Sequence, residues 1–149
     1  MVSYIASRKH RAPWWSDEDW QVAQHVNAEV LPHYFKAKVE ADEHLAALAK
    51  KRRDSGESKF QAINLRPGTL TDSQPTGEVM MGRTPSRGSV PRADVAAVAA
   101  ALLERSDTNG WYDLLEGPDD IATAIDQLVK EKHDGIAGED LERIYSRAV

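Results

Sequence analysis

Apolar and polar positions alternate with two different periods along this chain. The opening "MVSYIAS" carries Val2, Tyr4 and Ile5 in a short, largely apolar stretch, which predicts a buried strand starting at the first residue. "RKHRAPWW" reads as a loop. Ser16 with Asp19 three positions on predicts a helix start, and a helix through Trp20, Ala23, Val26 and Asn27. Pro32 suits a first helical turn. Phe35, Val39, Leu45 and Leu48, with alanines between them, predict a long helix over about 32–51, ended by "RRDSGES". "FQAINL" (60–65) predicts a strand closed by "RPG" (66–68). "PRADVAAVAAALLER" predicts a helix, "GWYDLLEG" a strand, "PDDIATAIDQLVKE" a helix with Pro118 near its start, and "GEDLERIYSRA" a last short helix.

Between "RPG" and the third helix lie about twenty residues, 69–88, rich in Gly and Pro. A loop of that length within a compact domain predicts a mobile, substrate-side segment, with short strands near 78–81 and 89–90. Strands alternating with helices predict an α/β protein with a parallel sheet. The three clearest strands amount to one half of a doubly wound sheet.

Composition narrows the chemistry. At 149 residues the chain fits one domain. A net charge of −5 argues against non-specific nucleic-acid or membrane binding. The basic runs "SRKHR" and "KKRR" are expected as solvated surface, and Trp14 and Trp15 as core or lid residues. The absence of cysteine excludes disulfides, thiolate metal sites and a cysteine nucleophile. No apolar run reaches the roughly 18 residues that span a bilayer, so a cytoplasmic protein is the expectation. His25 with His33, and Glu40 with His44, have helical spacing but suggest no third ligand, so no metal site is expected.

Tyr34 and Lys38 stand four residues apart on the long helix, hence on one face. A free phenol ionises near pH 10. An ammonium about 6 Å away, at an effective dielectric near 20, stabilises a phenolate by roughly 3 kcal/mol. That is about two pKa units, enough to make a useful proton donor near neutral pH. Taken alone, the same spacing also fits a half-buried tyrosine beside a snorkelling lysine.

Order adds specificity. "VSYIAS", "YFKAKVEADEHL", "FQAINLRPGTLTD", "GSVPRADVAAVAAALLE" and "GWYDLLEG" follow one another as in the C-terminal half of the atypical short-chain dehydrogenase/reductase superfamily, and the chain resembles its NAD(P)H-binding, NmrA-like members over about residues 1–130. The resemblance implies a Rossmann-like fold binding NADP or NAD. Tyr34 would be the acid/base, and Lys38 would bind the nicotinamide ribose. Pro67, Gly68, Thr69 and Leu70 would line the nicotinamide pocket. Ser3 would complete a catalytic triad, with Ser7 as the other serine in reach. Arg92 and Asp94 are expected to be structural.

No glycine-rich strand–turn–helix for the pyrophosphate occurs in the sequence. Residues 1–149 are therefore expected to be a single, incomplete NAD(P)-binding domain. A truncated gene model, an alternative start or a cloned fragment would each produce it. The intact protein would bind a dinucleotide and a small-molecule substrate. It would act as an oxidoreductase or, alternatively, as a non-catalytic redox-sensing or interaction protein.

Overall fold

The computed structural model of the chain describes residues 1–57 and 60–147. Ser58, in the stretch expected to end the long helix, and Ala148, at the end of the last expected helix, lie outside them. Helix α1 (Asp17–His25) opens on a capping box: Ser16 Oγ accepts from the Asp19 amide, and the Asp19 carboxylate accepts from the Ser16 amide. A π-helical turn (Val26–Val30) follows. Leu31 then breaks the helical path, and Pro32 starts α2 (Pro32–Asp54).

Strand β1 (Ile63–Pro67) pairs in parallel with β5 (Gly110–Glu116). Between them come β2 (Thr69–Thr71), β3 (Glu78–Met81), β4 (Ser89–Pro91) and α3 (Arg92–Leu103). After β5 come β6 (Asp119–Asp120), α4 (Ile121–Lys130) and α5 (Leu141–Tyr145). The main sheet runs β1-β5-β3-β6, with β3 antiparallel to both neighbours, and β2 pairs with β4 in a separate parallel ribbon.

The first residues extend this sheet on the far side of β1. Val2 bridges Leu65 in parallel, the Leu65 amide donates to Met1 O, and the amides of Ser3 and Ile5 donate to Leu65 O and Pro67 O. The parallel, helix-covered sheet expected from the sequence is present, although β3 and β6 add an antiparallel edge.

Alternation along the strands sorts the two faces. Ile63 and Leu65 of β1, with Tyr112 and Leu114 of β5, pack against Val95, Val98 and Leu102 of α3 and Ile125 and Leu128 of α4. Asn64 and Arg66, between them, turn to the other face under α2. There Leu115 joins Ile5, Ala6 and Trp15 in a second cluster, and Trp111 joins Ile136 and Ile144 in a third.

Several expectations need correction. Strand β1 starts later and takes in Arg66 and Pro67, so "RPG" does not close it. The opening stretch is largely buried as expected, with Ser3, Ile5, Ala6 and Ser7 all enclosed, but Met1 and Val2 are about 45% exposed, and it joins the sheet through the Val2–Leu65 bridge instead of forming a regular strand. Helix α4 starts three residues after Pro118; Asp119 and Asp120 form β6, and Asp120 caps α4 by accepting from the Thr123 amide. Leu48 faces outward while Asp42 and Glu43 are buried.

"SRKHR" is not all solvated. Arg8 is 1% exposed and donates to Gly135 O and Ala137 O, with the Glu139 carboxylate 3.5 Å away. These bonds tie the first loop to the C-terminal segment. Glu43 makes a second tie. It accepts both Arg143 guanidinium nitrogens at 2.9 and 2.6 Å, and Lys9 and Arg147 lie within 3.3 Å.

The segment 69–88 carries β2 and β3 and is fastened at several points. Asp94 accepts from the amides of Thr76 and Gly77, Asp19 accepts from the Ser86 amide, and Gly82 donates to Asp113 O. Asp94 is thus structural, as expected, and Arg92 pairs with Asp72. The indoles of Trp14 and Trp15 both donate to Thr84 O. Trp15 is buried core and Trp14 is half-buried, its ring edge-on to His133 at 5.0 Å.

Candidate functional site

Helix α2 begins beside Tyr4 and runs back across the strands, so Tyr34, Lys38 and Asp42 follow one another at four-residue intervals on the face toward the opening segment. The Lys38 Nζ lies 5.4 Å from the Tyr34 ring centroid, a cation–π distance, and donates to Val2 O at 3.1 Å. The Tyr34 ring rests on Tyr4, with centroids 5.2 Å apart at 47°. Tyr34 is 44% exposed. The spacing read from sequence does bring phenol and ammonium together.

Tyr4 is the support that sequence reasoning missed. Its hydroxyl donates to Asn27 Oδ1 at 2.7 Å, and Asn27 Nδ2 donates to Ala6 O at 2.7 Å. The π-helical turn buries Asn27 at that point, a local irregularity of the kind often found at functional sites. Burial, and the neighbouring Tyr34 phenol, push the Tyr4 phenol well above its ordinary range despite Arg66. Tyr4 therefore remains a neutral donor and a fixed platform for the Tyr34 ring.

Ser3 is placed differently from Tyr34's surroundings. It is 4% exposed, and its Oγ donates to Asp42 Oδ2 at 2.7 Å; Ser7 Oγ donates to the same oxygen at 2.6 Å. Both serines thus serve one buried carboxylate.

Beneath them Arg66 is fully buried. It donates to Asp113 Oδ1 at 2.8 Å, to Ser7 O at 2.8 Å and to Ile5 O at 2.9 Å, and it lies 3.6 Å from Asp42. Its guanidinium also sits 4.5 Å over the Trp111 ring. Burial pushes the Asp42 and Asp113 carboxyls up, and Arg66 opposes it in both without reversing the direction. This network fixes the opening segment, and with it Tyr4, against β1.

At the carboxyl end of β1, Pro67 is buried while Thr69 and Leu70 are exposed. Gly68 has no room for a side chain: a Cβ would lie 2.5 Å from both Gly88 O and Leu115 Cδ2. The Gly68 amide donates to Leu114 O and that of Thr69 to Gly88 O. The glycine is thus required by close packing of the β2–β4 ribbon on β5.

Several groups at this end of α2 and β1 remain accessible to a ligand. Lys38 has used one of its three donors. The Tyr34 hydroxyl makes no hydrogen bond among the described residues. Thr69 and Leu70 offer a partly apolar surface at the strand end, where parallel α/β sheets bind ligands.

Residues 6–106 match the model of a family described as NAD(P)H-binding, a span containing Tyr34, Lys38 and residues 66–70. An uncharacterised sugar epimerase, YhfK, from Bacillus subtilis (strain 168) is 36% identical over 101 residues, 67% of this chain and 42% of that protein. The oxidoreductase YlbE from Lactococcus lactis has the same fold, with a TM-score of 0.60 at 20% identity, over 89% of this chain and 52% of that one. A candidate NAD-dependent epimerase/dehydratase from Bacillus halodurans gives a TM-score of 0.58 at 26% identity, over 86% of this chain and 50% of that one. The chain thus spans about half the length of these relatives. With the family model matched over most of the chain, and the order of its motifs resembling the atypical short-chain dehydrogenases/reductases, this chain belongs to that NAD(P)H-binding family.

Proposed function

We propose that this chain is the nicotinamide- and substrate-side portion of an NmrA-like, NAD(P)-dependent oxidoreductase or epimerase-like protein. The observation that carries the reading is the Tyr34–Lys38 pair, held on one helix face with Tyr34 44% exposed. The pyrophosphate site would be supplied by sequence outside this chain, in line with the longer relatives.

A bound, reduced nicotinamide would supply the hydride in carbonyl reduction. Lys38 would direct its two free donors at the ribose hydroxyls. Tyr34 would give its proton to the carbonyl oxygen as that oxygen becomes an alkoxide, and would recover one from solvent. Tyr4 and Asn27 would hold the Tyr34 ring in place. Thr69 and Leu70, with Pro67 and Gly68 behind them, would bound the pocket.

One observation favours a second, non-catalytic reading as a redox-sensing or interaction protein. Ser3 and Ser7 both bond to Asp42, so neither hydroxyl is free to hydrogen-bond a substrate beside Tyr34.

Fluorescence titration of NADPH and NADH tests the binding step, using the chain extended by its upstream coding sequence. Lys38→Met should weaken binding at least tenfold, since a hydrogen bond from a charged group contributes about 1.5–3 kcal/mol. Equal affinity in the variant, or no binding by the extended protein, would refute the assignment.

A further inference from the structure

The geometry points to a second ligand site, at the opposite end of α2, for a small, neutral, planar ring with a cyclic-amide edge. It does not depend on the dinucleotide reading. Fifteen residues of helix separate Tyr34 from Ala49, about 22 Å at 1.5 Å per residue.

The site is a cavity of about 210 Å3 between the second half of α2, the amino ends of β1 and β5, and the C-terminal segment. A dry apolar cavity of about 150 Å3 is known to admit benzene. Ala46, Ala49, Ala62, Trp111, Ile136 and Tyr145 make its walls largely apolar, with two aromatic rings. The segment Asp134–Tyr145, which closes one side, lies beyond the residues that match the family model.

Asn64 gives the cavity its specificity. It is 1% exposed, it projects from β1 toward α2, and it lines the cavity. Neither its Nδ2 nor its Oδ1 has a hydrogen-bond partner. Its carboxamide lies close enough to Asp42 to favour the ionised carboxylate, but makes no bond of ordinary geometry, and Asp42 Oδ1 is likewise unpartnered. A buried amide left in this state costs about 1–3 kcal/mol, and a leucine of similar size would avoid that cost.

A carboxamide presents one donor and one acceptor side by side in a plane. Its complement is the adjacent N–H and C=O of a cis amide, as in 2-pyridone or uracil. The aromatic walls suit a flat ring. Arg53 and Asp134 contribute one charge of each sign to the lining, which favours a neutral ligand over an ion. One Asp134 oxygen, Oδ1, is also committed, accepting from the Trp111 and Ile136 amides.

The test is 1H–15N NMR of the 149-residue chain with millimolar 2-pyridone or uracil, and with toluene as a ring that lacks the amide edge. Both amide ligands should shift the Asn64 side-chain NH2 signals and the Gly110 and Trp111 amides, and toluene should leave the Asn64 signals essentially in place. Asn64→Leu should abolish the response while keeping a folded spectrum and raising the urea midpoint. Ala49→Phe, which fills the cavity and leaves Asn64 in place, should abolish it too. No shift in the wild-type chain, contact of Asn64 with water alone, an equal response to toluene, or shifts that survive both substitutions would each overturn the proposal.

Discussion

Replacing Arg66 with methionine is expected to cost about 3–5 kcal/mol of stability, the usual penalty for removing one partner from a buried ion pair. Small domains are stable by only about 5–15 kcal/mol, so much of the chain would unfold. The cost has a definite source. Arg66 is the cation that Asp113 and Asp42 share, and it also satisfies Ser7 O and Ile5 O. Methionine can fill much of the volume over Trp111 but supplies none of these donors. Arg66→Lys should fall between, because a lysine keeps the charge but not the fork.

The defect should depend on pH. Asp42 and Asp113 already have folded-state pKa values raised by burial. A carboxyl with a raised folded pKa contributes stability that is full below its unfolded value, about 3.9, and is lost as pH rises through the folded value. Removing Arg66 raises the folded values further. Urea denaturation should therefore show a smaller difference between wild type and Arg66→Met near pH 4 than at pH 7. A difference independent of pH would mean that packing, and not the carboxylates, dominates the loss.

Tyr34→Phe is the second substitution with a large expected effect. If Tyr34 is the proton donor, its loss should lower kcat for carbonyl reduction by the extended protein by roughly 10^2–10^4-fold, the range for a general acid. Cofactor affinity should change little, because in the proposed arrangement the ribose contacts would belong to Lys38. Stability should also hold, since Tyr34 is 44% exposed and its hydroxyl bonds to nothing among the described residues. The phenylalanine ring can keep its contact with Tyr4. Unchanged kcat across a carbonyl panel would support the non-catalytic reading.

The sequence disclosed what depends on local rules. The Ser16–Asp19 capping box, helices α2 and α3 and strand β5 follow from caps and periodicity, and the Tyr34–Lys38 approach follows from helix geometry alone. What it concealed depends on partners far along the chain. Arg8 looked like a surface residue because Gly135, Ala137 and Glu139 lie some 130 positions away. Asp42 and Glu43 are charged residues on α2, yet both are buried, because Ser3, Ser7 and Arg66 bind one and Arg143 binds the other. Arg66 was read with a strand-closing turn because it precedes Pro-Gly, while its partner Asp113 sits on the neighbouring strand in direct register. Burial reverses the ordinary reading of a charge when a counter-charge is folded onto it, and periodicity carries no sign of that.

Gly68 teaches a different lesson. A glycine at a strand end suggested room for a ligand, but the missing Cβ makes room for Gly88 O and Leu115. For the same reason Tyr4 and Asn27 passed unnoticed: their partnership is created by a π-helical turn that no periodicity announces.

The central claim is that Tyr34, Lys38 and the surface at Thr69 and Leu70 together receive the nicotinamide ribose. Nicotinamide mononucleotide carries that half of the cofactor without the adenylate, so it probes this chain directly by 1H–15N NMR. The largest shifts should fall on the backbone amides of Tyr34, Lys38, Thr69 and Leu70 and weaken in Lys38→Met. Shifts confined to other surfaces, or identical in wild type and variant, would contradict it.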